Sequence, residues 1–447
     1  MSTSEAEKAG YLEEYRKFSD QYKEHWENKS PPRVLSQALL NRIRMTLKLE
    51  QHSIAFYDLS TTFMGLLNSS SLLVDDPDDQ EMLLNFWFLL TSAAFGCGLY
   101  PNAKEMAERA EPLAQDRPEM LAQILQMKKK SIENISECYG ACRSHMRIPW
   151  DDLASNENLH SPECVARLNE TALKLSDGTF TVQLGRYGRE LRAARYIKKG
   201  ESFSLAPHLS STFNIDTSTI CYHCSEFIPK ADRGTHCCPD CGAIFCSSRC
   251  LDEAIGRYHV PLCGIPVMEF FDWYFSQCTE ISSLMILTIL KVFAEAKFKG
   301  ITPVEVDCVR DLCVHNSPVE YIDPVGMQVF AGILQLLNIE NGDPNYEFWH
   351  YIAVHQRIGA NCFGNGEIAT GAGSALAGYL SNANHDCLRN NVKVAERIEV
   401  TKDIKKGEEV LNFYIPKSVR GIERESLLLG YNIRCECRIC GPNTINV

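Results

Sequence analysis

The cysteine-rich stretch that decides this fold reads Cys221-Tyr-His-Cys224, Cys238-Pro-Asp-Cys241, Cys246-Ser-Ser-Arg-Cys250 and His259-Val-Pro-Leu-Cys263. Its eight soft metal ligands fall into four pairs, and two or three residues separate the members of each pair. One tight turn can therefore present both members of a pair to a single ion. Because zinc takes four such ligands in a tetrahedron, four pairs predict two zinc ions. The stretch contains few large apolar residues, so metal binding would supply much of its folding free energy.

Other cysteines and histidines in this stretch leave one alternative open. Cys237 could replace Cys238 as a ligand, although Cys238-x-x-Cys241 matches the usual spacing better. His223 and His236 are interpreted as bystanders. The chain has 20 cysteines, and its first ten residues carry charge without an apolar run. We therefore expect no signal peptide, and metal sites in a reducing compartment, not a disulfide scaffold.

Composition and charge narrow the function classes. The chain has 447 residues, enough for two or three domains, and a formal net charge of −12. This charge disfavours direct nucleic-acid binding, which needs a basic face, and suits a basic peptide substrate. The uncharged stretch from Met82 to Tyr100 contains several polar and small residues and is predicted to be a buried core helix, not a membrane span. We expect a monomer located in the cytoplasm and nucleus.

Residues 1–145 are predicted to form an antiparallel helical array. Apolar positions recur at helical spacing through Tyr11–His25, Val34–Leu49, Met82–Phe95, Ala103–Leu113 and Met120–Ile135, with breakers between them. The part from Leu83 to Pro118 resembles a single tetratricopeptide unit, a helix–turn–helix repeat. Residues 146–178 then form a connector with one short helix.

Short strands are predicted on both sides of the cysteine-rich stretch. Phe180–Leu184 and Leu191–Ile197 precede it, and further short strands follow Gly359. Helices lie between the stretch and Gly359, with Ile281–Phe298 the clearest of them. The fold class is therefore α+β, with the cysteine-rich stretch interrupting a sheet.

A second cysteine cluster lies near the end of the chain. Cys435, Cys437 and Cys440 supply three ligands within six residues. A structural zinc needs a fourth ligand, and the best distant candidate is Cys387. A metal ion held by these four residues would pin the last residues of the chain across the sheet.

These motifs together resemble those of the SET- and MYND-domain lysine methyltransferases, the SMYD family. The resemblance extends over about Thr179 to Cys440 and depends on four motifs besides the cysteine-rich stretch. They are Gly188-Arg-Glu-Leu191-Arg-Ala, Asn384-His385-x-Cys387, Gly407-Glu-Glu-Val-Leu-Asn-Phe-Tyr414 and the Cys-x-Cys-x-x-Cys ending at Cys440. The resemblance implies a SET-type fold of short strands, split by an inserted MYND zinc finger and a helical insert, and preceded by the helical array.

The resemblance also implies boundaries and metal-ligand sets. The domains would be residues 1–145 (helical array), 146–178 (connector), 179–216 (first SET part), 217–265 (MYND finger), 266–355 (helical insert), 356–418 (SET core) and 419–447 (zinc-binding tail). Three zinc ions per chain would be bound, the first two by interleaved pairs. The ligand sets would be Cys221, Cys224, Cys246 and Cys250; Cys238, Cys241, His259 and Cys263; and Cys387, Cys435, Cys437 and Cys440.

The cofactor that the resemblance implies is S-adenosylmethionine. Its methionine end would lie against backbone groups of the turn at Gly188 and Arg189. Asn361 matches the family asparagine that contacts the cofactor, and Asn384 and His385 would contact it through side chain and backbone. Tyr414 matches the tyrosine at the methyl-transfer channel.

The sequence departs from the family pattern at several positions. Glu190 stands where the family usually has a glycine close to the cofactor. Asp386 replaces a usual serine, Arg389 a usual proline, and Ile433 an aromatic residue near the adenine. A C-terminal helical lobe found in several members is also missing, and we hypothesise that residues 1–145 partly substitute for it as a partner-binding array.

Two functions from different classes follow. The first is S-adenosylmethionine-dependent methylation of a lysine in a histone or another protein, for which positioning and desolvation matter more than a strong general base. The second is a non-enzymatic adaptor whose zinc finger recruits transcriptional regulators by binding proline-rich peptides. Three aromatic residues are candidates for that peptide surface: Tyr222, Phe227 and Phe245.

Overall fold

A computed structural model provides the coordinates of the chain. It describes residues 4–69, 76–134, 142–144, 148–185, 188–204, 209–212, 219–277, 284–314, 319–322, 324–365, 373–394, 397–415, 418–431 and 433.

Helices predominate, and the strands are short. The helices are α1 (Glu5–Glu27), α2 (Pro32–Lys48), α3 (His52–Tyr57), α4 (Met64–Ser69), α5 (Pro77–Gly96), α6 (Tyr100–Ala110), α7 (Pro118–Glu133), α8 (Asn156–Leu159), α9 (Pro162–Leu175), α10 (Ser248–Ala254), α11 (Val260–Leu262), α12 (Val267–Gln277), α13 (Leu284–Lys299), α14 (Asp307–Arg310), α15 (Pro324–Leu336), α16 (Phe348–Asn361) and α17 (Gly421–Gly430). The strands are β1 (Cys142–Ser144), β2 (Phe180–Gly185), β3 (Gly188–Ala193), β4 (Ser202–Ser204), β5 (Leu209–Thr212), β6 (Val319–Ile322), β7 (Cys362–Asn365), β8 (Gly373–Leu376), β9 (Val392–Val394) and β10 (Arg397–Val400). The named strands pair antiparallel, so the fold is mixed α and β, as the α+β prediction requires at this level.

The chain divides into two compact units, Met1–Trp150 with Pro318–Tyr351, and Asp151–Ser317 with Ile352–Val447. The first unit is built on helices whose apolar faces form several buried clusters, the largest of which joins α2, α3 and α5. α5, predicted as a buried core helix, contributes Met82, Phe86 and Leu90 to that cluster. Within the described residues, none of the helices combines the length and the apolar character that crossing a bilayer requires.

Small side chains allow close helix packing in this unit. Ala103, Ala107 and Ala110 on α6 are completely buried. α6 packs against both α5 and α7. α7 begins at Pro118, where a missing backbone N–H carries no penalty because the first turn of a helix has no partner for it. The alanine spacing that resembles a tetratricopeptide unit is therefore the spacing of a helix–helix contact.

The segment Pro318–Tyr351 belongs to the first unit, whereas the family resemblance groups it with an insert of residues 266–355. β6 pairs with β1, and the Tyr22 hydroxyl donates a hydrogen bond of 2.9 Å to the Gly342 carbonyl. The Tyr57 ring stacks on Phe348 at a centroid distance of 4.3 Å. These contacts join residues far apart in sequence, and a local motif gives no sign of them.

In the second unit, strands that precede the cysteine-rich stretch pair with strands that follow it. β4 lies beside β10 in a three-stranded sheet of order β4-β10-β9. β5 lies beside β8 in a second sheet of order β5-β8-β7. The stretch is therefore inserted between strands that pair with later parts of the chain, which is the interruption that the sequence pattern predicts.

A third sheet of this unit, the two-stranded β2–β3 hairpin, carries the Gly188 motif. Phe180 and Leu191 from this hairpin are fully buried with Leu168 and Ala172 of α9 and with Val392, Ile398 and Val410. On its outer side β3 exchanges backbone hydrogen bonds with residues 407–410. A buried ion pair also stabilises this unit: Arg357 on α16 donates to both carboxylate oxygens of Asp151, at 2.7 and 2.9 Å. The hairpin is thus held on one side by α9 and on the other by the segment that leads to Tyr414.

Candidate metal centres and cofactor-contacting residues

Two turns of the same geometry each present the first pair of cysteines of one cluster. In one turn the Ser225 N–H donates to the Cys221 carbonyl at 3.0 Å, and in the other the Gly242 N–H donates to the Cys238 carbonyl at 2.9 Å. Ser225 and Gly242, each four residues after the first cysteine, have φ values of 62° and 73°. Each turn therefore folds the backbone back so that both cysteines of the pair point to the same side.

Helical turns present the other two pairs. The Ser247 hydroxyl accepts a hydrogen bond from the Cys250 N–H at 3.2 Å and so caps α10, which brings Cys250 within 3.4 Å of the Cys246 sulfur. A π-helical turn, Ile255–His259, follows α10 and carries the ligand His259. Such turns are frequent at functional sites because the extra residue redirects a side chain. Here the turn ends at His259, four residues before Cys263.

The eight ligands gather into two clusters of four. In each cluster the ligand atoms lie within 4.8 Å of one another. The members are Cys221, Cys224, Cys246 and Cys250 in the first cluster, and Cys238, Cys241, His259 and Cys263 in the second. These are the interleaved sets that the resemblance implies.

The distances within the clusters fit zinc. For zinc–sulfur bonds of about 2.3 Å, a regular tetrahedron has sulfur–sulfur edges of about 3.8 Å. The sulfur of Cys246 lies 3.6 Å from that of Cys224, and the sulfurs of Cys238 and Cys263 are 3.7 Å apart. Cys241 Sγ lies 3.5 Å from His259 Nε2, close to the edge of about 3.6 Å expected for one sulfur and one nitrogen ligand. Both clusters can therefore hold a zinc ion.

Two ligands of the second cluster, Cys238 and His259, have surroundings that favour their metal-binding forms. Burial raises the pKa of the Cys238 thiol, but backbone N–H groups of Cys241 and Asp240 donate to its sulfur, and the net pKa is lowered. Burial lowers the pKa of His259 below its usual range, which keeps the imidazole neutral. Its Nδ1 has no hydrogen-bond partner within the described residues, so packing orients the ring, with Tyr222 at 5.6 Å and Phe245 at 5.7 Å.

The open alternative Cys237 and the bystander histidines His223 and His236 lie outside both clusters. Cys237 is exposed, whereas Cys238 is buried and belongs to the second cluster. His223 is buried, but its Nδ1 lies 3.0 Å from the Tyr258 hydroxyl and its Nε2 3.1 Å from Glu253 Oε2. Of the two alternatives that the sequence left open, the structure therefore places Cys238, and not Cys237, in the cluster.

The cysteine-rich module (residues 219–264) contacts α13, one of the helices that follow it. Sequence reasoning predicted this helix but missed its contacts with the module. α13 packs against α11 and the π-helical turn. Arg257 pairs with the buried carboxylate of Glu295 at 2.8 Å, and Lys299 pairs with the same carboxylate at 2.7 Å. Lys291, also on α13, reaches the Tyr222 carbonyl inside the module. No motif identifies these residues, because an ion pair between distant segments leaves no local pattern.

The predicted third metal site, which the family resemblance implies, lies only partly within the described residues. Cys435, Cys437 and Cys440 lie outside them, while Cys387 is buried. The Cys387 sulfur contacts Arg424 Nη2 at 3.2 Å and His385 Nε2 at 3.0 Å. Nitrogen donors around a sulfur stabilise its thiolate form, which is the form that binds a metal ion. The surroundings of Cys387 therefore suit a metal-bound thiolate.

His385 links Cys387 to Tyr414. The Tyr414 backbone N–H donates to His385 Nδ1 at 2.9 Å, so this ring nitrogen is the acceptor and Nε2 carries the hydrogen that faces the Cys387 sulfur. Burial, assisted by the nearby Arg424 charge, lowers the pKa of His385 to about 4 and keeps the ring neutral. Since both ring nitrogens contact protein atoms, a cofactor contact from His385 would use its backbone.

Asn384 joins three distant segments. Its Nδ2 donates to the Arg189 carbonyl at 3.1 Å and to Glu409 Oε1 at 2.9 Å. The backbone N–H of Asn412 donates to the Asn384 carbonyl at 3.0 Å, and the neighbouring His385 forms a parallel bridge with Asn412. The Gly188 turn, the Asn384 segment and the strand-like segment that leads to Tyr414 therefore meet at one place.

Asn361, at the end of α16, is linked to Arg189 because both residues bond to Cys313. Asn361 Nδ2 donates to the Cys313 carbonyl and to the Arg357 carbonyl, both at 2.7 Å. The buried Arg189 guanidinium donates to the Cys313 sulfur at 2.9 Å and to the Asp311 carbonyl at 2.6 Å. Cys313 itself is exposed. Sequence reasoning missed this cysteine, because no metal-ligand spacing or motif surrounds it.

Tyr414 is half-buried, and its phenol has a partner inside the protein. Its hydroxyl donates to the Ala383 carbonyl at 3.0 Å, and its ring lies edge-on to Tyr431 at 5.0 Å. Burial raises the pKa of Tyr414 well above its usual range, so the hydroxyl stays protonated at physiological pH.

The departures from the family pattern have local partners. The buried Glu190 carboxylate pairs with Arg192 at 2.6 Å and lies over Gly185, where a Cβ atom would overlap it. Asp386 accepts hydrogen bonds from the Leu388 and Arg389 N–H groups and pairs with the Arg389 side chain at 2.8 Å. Two of the departing residues, Asp386 and Arg389, therefore form an ion pair with each other. Ile433 is half-buried, and its N–H donates to the Leu428 carbonyl at 2.9 Å.

The three aromatic candidates of the module differ in exposure. Phe245 is 1% exposed, and the half-buried Tyr222 ring lies edge-on to it. Phe227 is 65% exposed, with the Arg233 guanidinium 5.7 Å from its ring centroid. Phe227 is therefore the candidate that an external peptide could contact.

Comparisons with known proteins add no assignment. Neither the scan against protein-family models nor the search of curated proteins finds a match for this chain.

Ligand removal tests the two clusters. Cys238→Ala should lower the zinc content by about one ion per chain, because three ligands hold a structural zinc poorly. Cys237→Ala, which removes the adjacent exposed thiol, should leave the zinc content unchanged. Plasma emission spectrometry of the two purified variants and the wild type measures this content. Equal losses in the two variants, or no loss in either, would contradict the ligand assignment.

Proposed function

We propose that this protein is an S-adenosylmethionine-dependent protein-lysine N-methyltransferase with a split SET-type fold and an inserted MYND-type zinc finger. The observation that carries the proposal is the meeting of dispersed motif residues. Asn384 donates to the Arg189 carbonyl, His385 accepts from the Tyr414 N–H, and Asn361 and Arg189 both contact Cys313. Residues that the family resemblance assigns to one site are thus linked by direct contacts over more than 200 positions of sequence.

The polar groups at this meeting point suit an amino-acid-like ligand. The amide hydrogens of Asn361 and Asn384 are committed to protein carbonyl and carboxylate groups. The remaining polar atom of each side chain is its amide oxygen, an acceptor appropriate for a ligand ammonium group. The cofactor, when bound, would supply a methyl group activated by a sulfonium charge.

Methyl transfer to lysine requires the protein mainly to position and desolvate the substrate amine. The substrate amine must lose its proton, and free lysine has a pKa of about 10.4. A dry channel lowers that pKa because burial disfavours the charged form. The protonated hydroxyl of Tyr414, held at the Ala383 carbonyl, could orient the amine. These groups position and desolvate the amine, so a separate general base is not needed.

Further parts of the proposal extend the same family resemblance. The substrate would be a histone or another protein with a target lysine, and the acidic chain suits a basic peptide. The third zinc ion would join Cys387 to the cysteines near the end of the chain. The protein would act as a monomer in the cytoplasm and nucleus, with residues 1–145 as a partner-binding array.

Removing the Tyr414 hydroxyl tests catalysis. Tyr414→Phe should lower the rate of tritiated methyl transfer to candidate proteins by about 100-fold, because the amine loses the group that orients it. Calorimetric binding of the cofactor should be unchanged. Tyr379→Phe is the control, since the Tyr379 hydroxyl is buried with no hydrogen-bond partner in the described part of the chain. Failure of the wild type to methylate any protein despite binding the cofactor would defeat the proposal.

Cys313 reports on the cofactor site. Iodoacetamide alkylates a thiolate, whose sulfur displaces iodide, and bound cofactor should shield this sulfur beside Arg189 and Asn361. Cofactor well above its dissociation constant should therefore slow alkylation of Cys313 by about tenfold or more. The exposed Cys237 is an internal control whose rate should not change. Peptide mass spectrometry measures both rates, and an unshielded Cys313 at saturation would mean that the cofactor binds elsewhere.

A second candidate function, a non-enzymatic adaptor, is favoured by one observation. Phe227 is a large apolar side chain that the module leaves 65% exposed. Exposed aromatic residues often serve as anchors for bound peptides. In this function the zinc module would recruit transcriptional regulators through proline-rich peptides, and the rest of the second unit would be a scaffold.

Replacing Phe227 separates the two functions. Phe227→Ala should weaken binding of a proline-rich peptide by about 2 kcal/mol if the ring is the anchor. Val260→Ala is the control, because Val260 is a 51% exposed apolar residue of the same module. Fluorescence anisotropy measures peptide binding. Equal affinity of both variants and the wild type would remove the reason for the adaptor function.

A further inference from the structure

Lys291 is a buried cation at the boundary between α13 and the zinc module. Lys291 is 5% exposed, which is unusual because lysine is mostly found at the protein surface. The ammonium group donates a hydrogen bond of 3.0 Å to the Tyr222 carbonyl. Tyr222 lies between Cys221 and Cys224, so the lysine is bonded to the turn that carries two ligands of the first cluster.

Two aromatic rings place the same ammonium group near the second cluster. Lys291 Nζ lies 5.0 Å from the Tyr222 ring centroid and 5.2 Å from that of Tyr258. The Tyr222 ring in turn lies edge-on to His259, a ligand of the second cluster, at 5.6 Å. The Tyr222 ring therefore contacts both the ammonium group and a ligand of the second cluster, while the Tyr222 carbonyl links the same ammonium group to the turn of the first.

The net negative charge of the two metal centres gives a reason for a cation at this position. Four thiolates around a zinc ion leave two net negative charges, and three thiolates with a neutral histidine leave one. The thiolates of Cys221 and Cys224 act on Lys291 and partly oppose the effect of burial, which lowers its pKa to about 8. A cation enclosed beside such centres offsets their negative charge where water cannot.

We propose that Lys291 is an outer-shell counter-ion shared by the two metal centres, so that zinc retention by the module depends on a residue of α13. This role concerns the metal centres and is independent of the proposed methyl transfer.

A purely structural role for Lys291 predicts a different effect of substitution on zinc retention. If Lys291 only filled space, methionine, an uncharged side chain of similar length, would pack in its place without the cost of burying a charge. The counter-ion role predicts that zinc is lost more readily although the fold is kept. Glutamine separates charge from hydrogen bonding, because its amide can still donate to the Tyr222 carbonyl but carries no charge.

The test follows zinc release from the full-length protein to an excess of a chromogenic chelator, pyridylazoresorcinol. Lys291→Met and Lys291→Gln should both release zinc about tenfold faster than the wild type, as loss of an outer-shell partner typically weakens metal binding by this order. Lys297→Met, at an exposed position of the same helix, is the control and should behave as the wild type. Circular dichroism of the zinc-loaded variants checks that each is folded.

A second measurement tests whether the counter-ion is shared. Cadmium-113 NMR distinguishes a tetrathiolate site from a site of three thiolates and one histidine, and both signals should decay faster with chelator in Lys291→Gln. A folded Lys291→Gln protein that keeps zinc like the wild type would overturn the proposal, and so would faster loss from one cluster only. If Lys291→Met does not fold, the glutamine variant decides the question alone.

Discussion

Antiparallel pairing between strands on either side of the cysteine-rich module is the constraint on which the second unit depends. β5 meets β8 with Leu209 opposite Leu376, and β4 meets β10 with Phe203 opposite Ile398. Each pair closes a long loop of chain, and the entropic cost of closure grows only slowly with loop length. The chain can therefore carry a zinc module and several helices between paired strands without losing the sheets. The sheets in turn hold the hairpin and the Asn384 segment beside each other.

Local patterns made the two clusters of the cysteine-rich module predictable. Each Cys-x-x-Cys pair needs only a turn of a few residues, and both turns repeat the same backbone hydrogen bonds, with Ser225 and Gly242 in left-handed conformations. The helix from Ile281 to Phe298 was equally readable, because its apolar spacing covers most of α13. Spacing alone did not show which pairs share an ion. That pairing came from the family resemblance, and the structure gathers the same sets.

Long-range contacts could not be read from the sequence. Pro318–Tyr351 has no feature that indicates its place in the first unit, because its strand β6 pairs with a strand more than 170 positions earlier. The role of Glu190 was equally hidden. The sequence showed only that Glu190 stands where the family usually has a glycine, and the structure shows that its carboxylate lies over Gly185 and pairs with Arg192. Asp386 and Arg389 looked like two separate departures until the structure showed that they bond to each other.

The imidazole of His385 is fastened at both nitrogens, to the Tyr414 backbone at one and to the Cys387 sulfur at the other. A planar ring has no internal torsion with which to absorb a displacement at either end. The Tyr414 backbone and the Cys387 sulfur are therefore held on two sides of one rigid ring.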